Sequence, residues 1–105
     1  KVFGGFFFKA YPYEEAYFLP YARQFRAALS MPLTYLGGVN KLATIDDALR
    51  DGFSFVQIGR ALLREPELLE EWQKDSRYES LCIHCNKCMP TIYSRTHCVV
   101  TGGPA

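Results

Sequence analysis

The residues best suited to chemistry are four cysteines in the last quarter of the chain: Cys82, Cys85, Cys88 and, nine residues on, Cys98. Thiolates two residues apart on one loop can turn inward and grip a single soft metal centre, so the spacing argues for a bound metal or an iron–sulfur cluster. Three occupancies compete. A cluster is favoured by the tight three-cysteine run. A structural zinc site takes the same thiolates, with Cys82, Cys85, Cys88 and either Cys98 or a histidine. Free or oxidised thiols are the bland alternative. Four cysteines complete a tetrahedral set, which leaves His84 and His97 as bystanders. Lys87 and Arg95 are placed to offset thiolate charge.

A second set of residues lies earlier. Leu36-Gly37-Gly38-Val39 and Ile58-Gly59-Arg60 each end a run that reads as a strand. If these strands are parallel neighbours, the two turns share one edge of the sheet. Glycine lets backbone amides approach a ligand closely, and two adjacent turns of this kind form a concave set of N–H donors suited to a phosphate. Arg60 adds positive charge at the rim. Glycine is also the default turn residue, so tight turns alone compete evenly with a phosphate site.

The elements that must position these residues follow from the pattern. Residues 6–13 are aromatic without alternation, and Pro12 argues against a central strand. A helix is predicted from about Glu14 to Leu29, with Phe18, Ala22, Phe25 and Leu29 on its buried face. Pro20 is tolerable only in the first turn. Pro32 to Leu36 reads as a short strand. Thr44 is the predicted N-cap of a helix that Gly52 closes. Phe53 to Ile58 is a second strand. A last helix follows Glu65-Pro66, with Pro66 in its first position and Leu68, Leu69 and Trp72 buried. Strands separated by helices imply parallel pairing.

The chain has 105 residues, of which 49% are hydrophobic and 15% aromatic, and a net charge of +1. That balance gives no electrostatic footprint for nucleic acid or an anionic membrane, and no apolar run is long enough to span a bilayer. No secretory signal pattern opens the chain, so clustered cysteines favour metal ligation in a reducing, cytoplasmic setting. Three or fewer strands leave bare sheet edges. The remainder of the same fold, or another copy of the chain, is the expected partner, and the chain reads as a piece of a longer polypeptide.

The runs EAYFLPYARQFRAALSMPLTYLGGV and IDDALRDGFSFVQIGRALLREPELLEEW resemble the end of the NADH:flavin oxidoreductase (old yellow enzyme) family. The likeness covers roughly Glu14 to Trp72. It implies an α/β fold, the C-terminal third of an eight-stranded (β/α)8 TIM barrel. Gly4-Gly5 would follow the sixth strand, and the two strands here would be the seventh and eighth. Residues 1–76 would belong to the barrel and residues 77–105 to a cysteine-rich segment. It further implies FMN, with its phosphate held by Gly37, Gly38, Val39, Gly59 and Arg60. The cysteines resemble the iron–sulfur branch of the family, which includes trimethylamine dehydrogenase and the 2,4-dienoyl-CoA reductases. Cys82, Cys85, Cys88 and Cys98 would then hold a 4Fe-4S cluster, although nine residues before Cys98 is a short spacing for that branch. The whole enzyme would take hydride from NADH or NADPH and reduce a small-molecule substrate such as an activated carbon–carbon double bond. The alternative is a small stand-alone zinc-binding structural or interaction module.

Overall fold

The computed structural model describes residues 11–101. Six regular elements precede the cysteines: helix α1 (Leu19–Ala28), strand β1 (Thr34–Leu36), helix α2 (Leu42–Arg50), strand β2 (Phe55–Gln57), and helices α3 (Arg60–Arg64) and α4 (Leu68–Lys74). A short 3-10 helix, Met89–Tyr93, lies within the cysteine segment. The two strands pair in parallel, with Tyr35 opposite Val56. Parallel neighbours need a crossover, and α2 supplies it. Gly4, Gly5 and the Phe6–Phe8 run fall outside the described residues.

The core has two lobes. Leu19, Tyr35, Val39, Ala48 and Phe53 form the first, and Ala61, Leu68 and Trp72 the second. Ile45 and Ile58 pack against both and join them. The Trp72 indole donates to the Tyr78 carbonyl at 2.8 Å, which starts the return of the chain toward the cysteines.

Several local expectations are corrected. Helix α1 begins at Leu19, because Ala16 takes a left-handed turn (φ 57°) and Glu15 is drawn away to other partners. Pro20 does fall in the first turn, where its missing donor costs nothing. The stripe read as buried is mostly wet: Phe18 is 53% and Phe25 63% exposed, and of its members Ala22 packs on the core, beside Leu19, which the stripe left out. Thr44 is not an N-cap. Helix α2 starts two residues earlier, and the cap is tertiary: the Glu15 carboxylate accepts the Asn40 and Lys41 amides and the Thr44 hydroxyl at 2.6–3.2 Å. Gly52 ends α2 with φ 104°, as its sequence position implies. Helix α3 has no counterpart in the sequence reading. It leaves Pro66 in the turn before α4 rather than at a first helical position, and Leu69 is exposed.

Candidate functional site

The parallel register sets the ends of β1 and β2 side by side. Gly37, Gly38, Val39, Gly59 and Arg60 therefore wall a single cleft with about 460 Å³ of empty volume, and His84 from the cysteine segment closes one side. The glycines differ in what they do. Gly37 and Gly38 take φ of +139° and +69°. A Cβ on them would stand 2.6 Å from the Phe18 ring and 2.5 Å from the Tyr17 ring. Backbone conformation and packing account for both. Gly59 has φ −111° and ψ −86°, and a Cβ there would meet nothing within 4 Å. Packing does not require glycine at 59, which leaves open space at the start of α3.

Arg60 follows it. Its guanidinium donates to the Tyr17 hydroxyl at 3.0 Å and to the Asn86 side-chain oxygen, both neutral. Among the described residues it joins none of the ion pairs, which link Arg23 to Asp51, Lys41 to Glu79, Arg50 to Asp47 and Arg77 to Asp75. A cation without a carboxylate, beside open backbone, is the electrostatic half of an anion site.

Arg60 also walls the adjoining thiol pocket, which Cys82, Cys85, Cys88 and Cys98 line with Arg64. All four thiols are free and partly buried. The loop bends through two left-handed residues, His84 (φ 53°) and Asn86 (φ 64°). That bend aims the His84 amide at the Cys82 sulfur, while the Val100 and Thr101 amides and the Thr101 hydroxyl face the Cys98 sulfur. Burial pushes the Cys82 thiol up against the opposing pull of that amide and Arg60, and burial likewise raises Cys88. Burial would raise Cys98 too, but the Thr101 and Val100 donors outweigh it and its pKa falls.

Among the described residues no three His, Cys, Asp or Glu side chains gather closely enough to hold one metal ion. A zinc ion draws its sulfurs to about 2.3 Å from a point, whereas a cluster sets them around a larger body. The four thiols line this pocket together with two guanidiniums, which would offset thiolate charge. The flanking cations are Arg60 and Arg64; Lys87 and Arg95 do not line the pocket. His97 faces its own segment, its ring nitrogen 2.6 Å from the Arg95 carbonyl.

His84 has a packing and hydrogen-bonding role that the sequence did not show. It is 7% exposed and stacks on Tyr13 with ring centres 4.0 Å apart. Its Nε2 lies 2.7 Å from Asn40 Oδ1. Asn40 Nδ2 donates to the Cys82 carbonyl at 2.8 Å and, at 3.4 Å, to that of Ser80, so Oδ1 must accept and His84 carries its proton on Nε2. Nδ1 is left as a buried lone pair without a hydrogen-bond partner. Burial, then the charge of Arg60, lowers the His84 pKa to about 4, so the ring is neutral near pH 7. Tyr13, Tyr17, Asn40, Glu15 and Arg64 escaped the sequence reading. Only Arg64 carried a signal, four residues after Arg60 on one helix.

Comparison with known proteins adds a lineage to this geometry. A family model described as "Histidine biosynthesis protein" matches residues 9–100. The chain belongs to the histidine biosynthesis protein family. That family differs from the NADH:flavin oxidoreductases that the sequence motifs resemble. A 4,4'-dithiodibutanoate disulfide reductase of Rhodococcus erythropolis is 58% identical over 100 residues, 95% of this chain and 25% of the relative. The imidazole glycerol phosphate synthase subunit HisF of Parabacteroides distasonis is 40% identical over 58 residues, 55% of this chain and 23% of the relative. The chain thus spans about a quarter of the length of these curated relatives. No solved structure matches.

Proposed function

We propose that the chain supplies the phosphate end of an FMN site and a thiol-ligated iron–sulfur centre to a barrel-type oxidoreductase that draws hydride from NADH or NADPH. The observation that carries the reading is the pairing of Gly59, whose missing side chain leaves open space that no neighbour fills, with Arg60, whose charge meets no carboxylate among the described residues. A phosphate monoester seated there would accept from backbone N–H groups at the glycine turns and from the guanidinium. Such charge-assisted bonds are the strong ones.

When bound, FMN supplies the hydride chemistry, and the protein orients it. Arg60 neutralises its phosphate. Tyr17 and Asn86 hold the guanidinium in place. Val39 and the glycines shape the wall. The four cysteines would hold the cluster beside this site, with Arg64 offsetting its charge.

The disulfide reductase likeness supports an oxidoreductase acting on a small organic disulfide, more directly than the carbon–carbon double bond that the flavin family implies. A match of 100 residues in 105 necessarily takes in Cys82 to Cys98. A second reading has support in the subunit named for imidazole glycerol phosphate, since a polyol phosphate would suit the same cleft. It gives the cysteines no task, and the flavin reading is preferred.

The test is an absorption spectrum and cofactor analysis of the intact protein purified without oxygen. The expected result is one FMN per chain, with iron and acid-labile sulfide. Zinc without flavin or iron would overturn it and favour a zinc module. Arg60→Gln should weaken FMN binding by about 10- to 100-fold, from a charge-assisted bond of about 1.5–3 kcal/mol.

A further inference from the structure

We infer that Asn40 is the positioning residue of the thiol loop: it sets the Cys82 and Cys85 limb of the sulfur pocket from the turn that ends the phosphate cleft. The inference deepens the reading of the cysteines as ligands and rests on it. Asn40 follows Gly37-Gly38-Val39 directly and is 7% exposed. Every polar group it has is used. Its amide donates to the Glu15 carboxylate at 3.0–3.2 Å. Its carbonyl accepts the Ser80 amide at 2.8 Å. Its side-chain nitrogen donates to the Cys82 carbonyl, and its side-chain oxygen takes the His84 Nε2 proton.

Those last two bonds fall on either side of Ile83 and hold the first bend of the cysteine run. With the Cys82 carbonyl and the His84 ring pinned, His84 is kept at φ 53°, and that turn aims its amide at the Cys82 sulfur. A left-handed non-glycine residue costs about 1–3 kcal/mol and persists only where its surroundings impose it. Asn40 and the Tyr13 ring are the surroundings here. Cys98 is independent of this device, because its sulfur is held by Val100 and Thr101. The prediction is therefore asymmetric: loss of the Asn40 side chain frees one limb of the pocket and spares the other.

Asn40→Asp keeps the volume, removes the donors to two carbonyls and sets a carboxylate against them. In the intact protein, alkylation of each cysteine by iodoacetamide is followed by mass spectrometry, with circular dichroism as a check on folding. Cys82 and Cys85 should react at least about 10-fold faster than in the parent protein, the loss of roughly one well-made hydrogen bond. Cys98 should keep its rate, and iron content should fall. Tyr78→Phe, which removes a docking bond to Glu65 but leaves the Asn40 bonds to Cys82 and His84 in place, should move neither limb. Uniform acceleration of all four thiols in Asn40→Asp, an equal effect from Tyr78→Phe, or no change would each overturn the inference. If the parent protein carries no metal, the ligand reading fails, while the site-resolved rates still decide the role of Asn40.

Discussion

At the scale of single residues, glycines that look alike in sequence part company in space. Gly38 is spent on a left-handed turn against Tyr17, whereas a Cβ on Gly59 would meet no neighbour within 4 Å. Gly38→Ala should destabilise the protein by about 1–3 kcal/mol through strain and overlap, read from thermal or urea unfolding. Gly59→Ala meets no such overlap and should cost less stability than Gly38→Ala yet weaken FMN binding, read by fluorescence titration, because Gly59 walls the cleft. If Gly59→Ala bound FMN as well as the parent, the phosphate would have to sit elsewhere. Arg60 reaches further than its motif suggests, since one guanidinium walls both the glycine cleft and the thiol pocket.

At the scale of elements, the cysteine segment is fastened to the α/β unit by two buried polar residues. Asn40 is one. Glu65, at the end of α3, is the other: its carboxylate accepts the hydroxyls of Tyr78 and Ser80 and the Leu81 amide. Burial alone would raise the Glu65 pKa, but these donors outweigh it and bring it below the ordinary 4.5. The same contact pushes Tyr78 up to about 12. A carboxyl with a lower pKa folded than unfolded stabilises fully above the unfolded value and loses that stabilisation as pH falls through the folded one. Below about pH 4.5, undocking should steepen, seen as faster amide hydrogen exchange at Ser80 and Leu81. Glu65→Gln should flatten that dependence. The order of strands and helices through β2, the parallel pairing and Gly52 were legible because they rest on local rules of turns and crossovers. The buried face of α1 was legible only at Ala22, since Phe18 and Phe25 satisfy the helical period while Leu19, off that stripe, makes the main contact. The cap of α2 was not legible: Thr44 fits a local rule, and Glu15, 26 residues before Lys41, displaces it. The glycine and cysteine positions were readable from spacing. Asn40 and His84 were not, because their roles arise from a hydrogen bond across 44 positions.

For the molecule as a whole, two paired strands with open edges and rings such as Tyr21, Phe25 and Phe55 in solvent leave much of the sheet and α1 uncovered among the described residues. Two strands alone are marginal in water, so we expect either the rest of a barrel or a second copy to cover them. Expressed by itself, this chain should elute above its 12.0 kDa monomer mass in light-scattering chromatography, and Phe25→Lys with Phe55→Lys should shift it toward monomer. A monomeric parent chain would refute that expectation. No helix among the described residues is long and apolar enough to cross a membrane. The stacking of Tyr13 on His84 closes a loop across 71 positions of the chain. Contacts so distant in sequence form late, after local helices and the strand pair. During synthesis, then, the four thiols emerge after the α/β unit and stay open until Tyr13 is in place to receive His84. Metal delivery would have to follow the docking of Tyr13 rather than direct it, and an oxidant would find its widest opportunity in the interval before that docking.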